Sequence, residues 1–190
     1  MCTFMQRIET SLPGVLELRP EVFRDARGYF AETYHRDKFA EAGIRDCFVQ
    51  DNHSSSRKGV LRGLHYQLRH PQAKLCRAIQ GEALDVVVDI RVGSPYFGKW
   101  SCVVLSADKM NQVYVPSGFA HGFLSLSDRV ELLYKSSEFY HPEDEFGVLW
   151  NDPKLEISWN ITAPLLSEKD SHLPVLSAIS HQNLPQYTIK

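Results

Sequence analysis

Alternation of apolar and polar positions with a period of two dominates this chain. Residues 83–91 place Leu84, Val86, Val88 and Ile90 on one face and Asp85, Asp89 and Arg91 on the other, as a pleated strand does. Residues 74–79 precede them, and Gln80-Gly81-Glu82 between the two runs reads as the turn of a hairpin. Residues 100–105, 112–115, 121–126 and 130–136 continue the series, divided by Ser106-Ala107-Asp108, Pro116-Ser117-Gly118 and Ser127-Asp128. Short strands recurring about every 8–12 residues predict an all-β sandwich, jelly roll or barrel. Residues 36–42, closed by Gly43, are the one helical stretch expected in the first two-thirds. Beyond Asn151 the chain is rich in proline and weakly periodic, so it is expected to wrap the sheet, with 180–190 fraying as a mobile tail. With no internal repeat and no linker, 1–190 reads as one domain.

The composition fits that picture. The 190 residues are 43% hydrophobic and 23% charged, with a net charge of −2. This suffices for one buried core and supplies no basic field for nucleic acid or an anionic membrane. An anionic ligand must therefore be held by a local cluster of Arg and Lys. The opening MCTFMQRIETSLPGV has no apolar run of signal-peptide length, and no stretch reaches the roughly 18 apolar residues of a membrane span. Cys2, Cys47, Cys76 and Cys102 are scattered without a CxxC pair. That usage points to reduced thiols in the cytoplasm, not to a disulfide or zinc framework.

Two segments carry unusual chemistry. In the first, Gly59-Val60-Leu61-Arg62-Gly63-Leu64-His65-Tyr66-Gln67, Arg62 and His65 crowd onto an apolar strand. In the second, Val115-Pro116-Ser117-Gly118-Phe119-Ala120-His121-Gly122-Phe123, a tight turn delivers His121 at a strand start. A P-x-G-x-x-H turn is familiar from metal-binding cupins, whose other ligands come from His-x-His followed by Glu. Here Tyr66 and Gln67 follow His65, and two histidines with no aligned carboxylate make no metal site. The remaining histidines, His35, His53, His70, His141, His172 and His181, read as ordinary core or surface imidazoles.

These segments belong to a longer series. It includes Asp25-Ala26-Arg27-Gly28-Tyr29-Phe30-Ala31-Glu32, Gln50-Asp51-Asn52-His53-Ser54, Gln72-Ala73-Lys74-Leu75, Tyr134-Lys135, Leu149-Trp150-Asn151-Asp152-Pro153 and Leu166-Ser167-Glu168-Lys169-Asp170. In this order, from about residue 8 to residue 178, the series resembles the dTDP-4-dehydrorhamnose 3,5-epimerase family of deoxysugar biosynthesis. The resemblance implies a double-stranded β-helix (a cupin-like jelly roll) with a few short helices, and a homodimer without metal or organic cofactor. It implies a dTDP-linked 4-keto-6-deoxy sugar as substrate. His65 would be the general base, Asp170 its orienting carboxylate, Tyr134 the general acid and Lys74 the cation beside the enolate. Arg62 and His121 would contact substrate. Gln50, Asn52 and Tyr140 would form the thymidine site, with Tyr140 stacking on the base and Asp51, Glu145 and Lys169 also binding substrate. Arg27 and Glu32 would come from the neighbouring subunit, the segment up to about residue 35 packing across the interface. The chain departs from the family at Asn160, where proline is frequent, and at Ser171-His172-Leu173-Pro174.

The implied roles make chemical sense. Inverting a carbon beside a ketone needs a base titrating near neutrality, a carboxylate to fix its tautomer, an acid on the opposite face and positive charge at the enolate oxygen. Read singly, Tyr134 is equally a core aromatic, Asp170 a turn residue and Lys74 a solvated edge charge. The runner-up functions are a C3-only or C5-only epimerase, a metal-dependent cupin dioxygenase or isomerase, and a non-enzymatic sugar-binding jelly roll.

Overall fold

In the computed structural model, which describes residues 5–188, thirteen strands run along the chain. They are β1 (Met5–Glu9), β2 (Leu16–Pro20), β3 (Val22–Asp25), β4 (Gly28–Ala31), β5 (Gln50–Arg57), β6 (Leu61–Gln67), β7 (Lys74–Gln80), β8 (Glu82–Asp89), β9 (Trp100–Ser106), β10 (Gln112–Val115), β11 (Phe119–Ser125), β12 (Arg129–Ser136) and β13 (Glu145–Gly147). One antiparallel sheet has the order β1-β2-β10-β7-β12-β5, and the other β13-β6-β11-β8-β9. The two sheets face one another as a cupin-like jelly roll, and β3 and β4 form a separate hairpin. Helix α1 (Arg36–Glu41) sits where the sequence places it, with Gly43 following at φ +92°. Among the described residues no helix is long and apolar enough to cross a membrane.

The expected hairpin of 74–79 with 83–91 does not form. β7 pairs with β10 and β12, whereas β8 pairs with β9 and β11. Gly81 is instead the corner at which the chain leaves one sheet for the other. It stands at φ +70°, where a Cβ would lie 2.3 Å from the Arg129 carbonyl oxygen. Cys76 and Ala78 before the corner, and Ala83 and Val87 after it, meet in one core between the sheets. Burial of both inner faces outweighs the ladder that a local hairpin would have made.

That sandwiching also covers the polar face of β8. Leu84, Val86, Val88 and Ile90 pack in a second core, under the connections that follow Gly147. Asp85 and Asp89 on the other face are fully buried as well. Buried carboxylates require partners; Asp89 accepts from Arg91 and Ser94, and Asp85 from His121.

Of the segment expected to fray, residues 181–188 pack against the sheets, and 189–190 lie outside the described residues. Leu184 is 2% exposed, the Tyr66 hydroxyl donates to the Asn183 carbonyl at 2.8 Å, and at a parallel bridge between Val92 and Gln186 the Val92 amide donates to the Pro185 carbonyl and the Tyr187 amide to the Val92 carbonyl. Within the N-terminal segment, β1 and β2 extend their own chain's sheet, whereas β3 and β4 pair only with each other among the described residues.

Candidate active site

The cavity lies between the sheets. Its main compartment, about 690 Å³, is lined by Arg62, His65, Lys74, His121, Tyr134 and Asp170 among others. A second compartment of about 310 Å³ adjoins it through His65, Lys74, Tyr134 and Lys169, and is lined also by Gln50, Asn52, Tyr140 and Glu145.

Strand β6 delivers Arg62 and His65 together, although a spacing of three residues puts side chains on opposite faces of a regular strand. A bulge resolves the conflict: His65 pairs with His121, but Arg62 pairs with Phe123. The bulge depends on two glycines in contact. A Cβ on Gly63 would lie 2.6 Å from the Gly122 Cα, and one on Gly122 would lie 2.6 Å from the Arg62 carbonyl oxygen.

His65 donates from Nε2 to Asp170 Oδ1 at 2.6 Å across 105 residues of sequence. Nδ1 is then the nitrogen left to take a proton, with Glu145 Oε1 3.7 Å away. Asp170 stands on the short helix α2 (Glu168–Ser171), whose N-cap Ser167 accepts from the Asp170 amide at 3.0 Å. Burial pushes the Asp170 carboxyl up. Hydrogen bonding and charge from His65, with bonds from Ser167 and the Gly63 amide, outweigh burial and hold it below the ordinary carboxylate value.

Lys74 and Tyr134 reach the cavity from the opposite sheet. Lys74 makes no hydrogen bond or ion pair among the described residues, and burial lowers its ammonium below the usual lysine value despite nearby Cys76, Glu145 and Asp85. Tyr134 packs its ring against the core, and burial first, then Cys76 and Glu145, raise its phenol while Arg62 opposes them. Opposite His65 therefore stand a bare cation and a firmly protonated phenol.

His121 bonds Asp85 at 2.8 Å. The carboxylate not evident beside it in sequence comes from the neighbouring strand, and neither Asp85 nor Cys76 stands out in the sequence as a site residue. The signal for Asp85 was its place in an alternation whose polar face the fold also buries. At the second compartment Gln50 donates to Asn52 at 2.8 Å and accepts from the Tyr140 amide at 3.0 Å. Glu145 accepts from the Tyr140 hydroxyl at 2.8 Å and from Lys169 at 2.5 Å. Tyr140 is 50% exposed, leaving ring area free for stacking.

Three candidates lie apart. Asp51 falls on the other face of β5 and pairs with Lys135 at 2.8 Å. Arg27, at the tip of the β3–β4 hairpin, pairs with Asp25 at 2.5 Å, and Glu32 with Lys38 at 2.7 Å.

The model of the dTDP-4-dehydrorhamnose 3,5-epimerase family matches residues 9–178. The dTDP-4-dehydrorhamnose 3,5-epimerase of Pseudomonas aeruginosa is 52% identical over 168 residues, covering 87% of this chain and 93% of that protein. The Neisseria gonorrhoeae protein of the same name is 53% identical over 168 residues, 87% of this chain, and the chain spans 51% of that relative's length. A crystal structure of dTDP-6-deoxy-D-glucose-3,5-epimerase from Legionella pneumophila, in complex with dTDP-4-keto-L-rhamnose, aligns with a TM-score of 0.95 at 44% identity. That alignment covers 97% of this chain and 100% of the other.

Proposed function

The chain belongs to the dTDP-4-dehydrorhamnose 3,5-epimerase family, and on that premise we propose that it inverts C3 and C5 of dTDP-4-dehydro-6-deoxy-D-glucose, giving dTDP-4-dehydro-L-rhamnose. The observation that carries this reading is the 2.6 Å His65–Asp170 pair in a cavity that also holds Lys74, unpaired among the described residues, and the partly buried Tyr134.

The C4 ketone acidifies the C–H bonds on both neighbouring carbons. His65 Nδ1 removes one of those protons, and the Asp170 carboxylate stabilises the resulting imidazolium. Negative charge then develops on the C4 oxygen, where Lys74 lacks any competing partner and acts in a poorly solvated site. Tyr134 returns a proton to the opposite face, which inverts the carbon. The chemistry asks no metal or organic cofactor of the site.

The nucleotide is read in the adjoining compartment: Tyr140 stacks on the base, with Gln50 and Asn52 bonding to it. Arg62 and Lys169 supply the local charge that the diphosphate needs in a chain of net charge −2. The protein acts as a homodimer in the cytoplasm. The β3–β4 hairpin, with Phe23, Tyr29 and Phe30 each about half exposed or more, carries Arg27 and Glu32 to the partner's site. The unpaired thiols of Cys47, Cys76 and Cys102 agree with a reducing compartment.

The test is incubation with dTDP-4-keto-6-deoxy-D-glucose in deuterated water, followed by NMR. Exchange and inversion at both C3 and C5 are expected. Inversion at one carbon alone would make the chain a mono-epimerase, and exchange at neither would end the epimerase reading.

A further inference from the structure

Cys76, Asp85 and His121 have no role as a set in the reaction above, yet they converge beside the cavity that Lys74 also lines. Asp85 and His121 lie on neighbouring strands of one sheet, and Cys76 faces them from the other. One donor atom from each falls within 4.8 Å of the other two. Cys76 and Asp85 are buried, and the half-buried His121 lines the cavity together with Cys76. Asp85 Oδ2 accepts from His121, but Oδ1 is buried without a hydrogen-bond partner among the described residues. An orphan carboxylate oxygen in the interior is costly and marks a place where a cation would be held.

We propose that Cys76, Asp85 and His121 form a three-ligand site for a thiophilic divalent cation, zinc above all, whose binding inhibits the enzyme reversibly. Sulfur, imidazole and carboxylate donors together suit Zn²⁺. Tetrahedral coordination, with Zn–S about 2.3 Å and Zn–N or Zn–O about 2.0–2.2 Å, separates donors by roughly 3.3–3.7 Å. Closure therefore takes side-chain shifts of about an ångström, with release of the thiol proton. The fourth position opens toward the cavity, where water or substrate oxygen completes the set. Coordination removes His121 from the substrate and adds charge beside Lys74. Because Cys76 lies on one sheet and the other two ligands on its neighbour, the ion also ties the two layers together.

The test uses the full chain after treatment with chelator. Calorimetric titration with zinc chloride is expected to show one equivalent per chain, with a higher Tm and loss of epimerisation. Cobalt(II) is expected to give thiolate-to-metal charge-transfer absorption. Cys76→Val, a change of similar volume, is expected to keep zinc-free turnover, abolish that absorption and weaken zinc binding at least about tenfold, since loss of even an outer partner costs that much. Wild-type protein without the absorption would overturn the site. So would equal zinc inhibition in Cys76→Val and wild type, which would move the metal to other donors such as the stacked surface pair His70 and His141. The inhibition arm rests on the epimerase reading. The cobalt spectrum and calorimetry do not, so failure of one is distinguishable from failure of the other.

Discussion

His65 and His121 are cross-strand partners in register on β6 and β11, yet each donates to a different carboxylate: Asp170 at 2.6 Å and Asp85 at 2.8 Å. The surroundings differentiate the pair. Asp170 arrives from a capped helix outside the sheet and leaves His65 open to the cavity. Asp85 is fixed within the sheet interior and holds His121 against the cavity floor. A base must face the substrate while its support stays still, so the proposed base is His65 and not His121.

His65→Ala should therefore lower kcat/KM by about 10²–10⁴-fold, the usual contribution of a general base, with an unchanged circular dichroism spectrum. Asp170→Asn should cost less, because it spoils orientation and charge stabilisation but leaves the base in place. Progress curves read by NMR check both.

In Tyr134→Phe the enolate still forms but has no donor on the far face. It recovers a proton from His65 alone, after partial exchange with solvent, so deuterium enters with retention of configuration. The ratio of deuterium incorporation to inverted sugar should rise well above wild type. An unchanged ratio would make Tyr134 a packing residue only.

Lys74 is a cation that burial disfavours. Its folded value lies below the unfolded one, so its cost to stability is full at pH below the folded value and is relieved as pH rises toward 10.5. Lys74→Met should raise Tm at neutral pH while lowering turnover by an order of magnitude or more. The wild-type alkaline limb of activity should begin below the ordinary lysine value and move upward in Lys74→Arg.

Gly122→Ala should destabilise by about 1–3 kcal/mol, the range for overpacking, because its Cβ would lie 2.6 Å from the Arg62 carbonyl oxygen. Relief requires the bulge to open, which separates Arg62 from His65, so KM for the nucleotide sugar should rise as well. Urea denaturation and steady-state kinetics measure the two effects.

Leu184→Ala should cost about 2–5 kcal/mol, as for any core leucine, although it lies four residues before the last described position, 188. A loss under about 0.5 kcal/mol, typical of surface sites, would mean that this segment is not docked in solution.

The fold class and the strongly alternating elements are legible in the chain's pattern alone. Residues 83–91 and 130–136 read as strands because one face is aliphatic, and 36–42 as a helix because Gly43 closes it. The ordered motifs from Asp25 to Asp170 carried the candidate residues for the site. Tertiary structure decided what alternation cannot encode. Which strands pair is a long-range matter, so Gly81 looked like a hairpin turn and is a corner between sheets. Strand β5, Gln50-Asp51-Asn52-His53-Ser54-Ser55-Ser56-Arg57, shows no apolar face because its inward side lines a polar cavity, so its pattern is that of a turn. Asp85 looked like a surface residue of β8 until a second layer buried both faces. The meeting of His65 with Asp170 spans 105 residues, and such distances are set by packing, since period and spacing act only between neighbours in the chain.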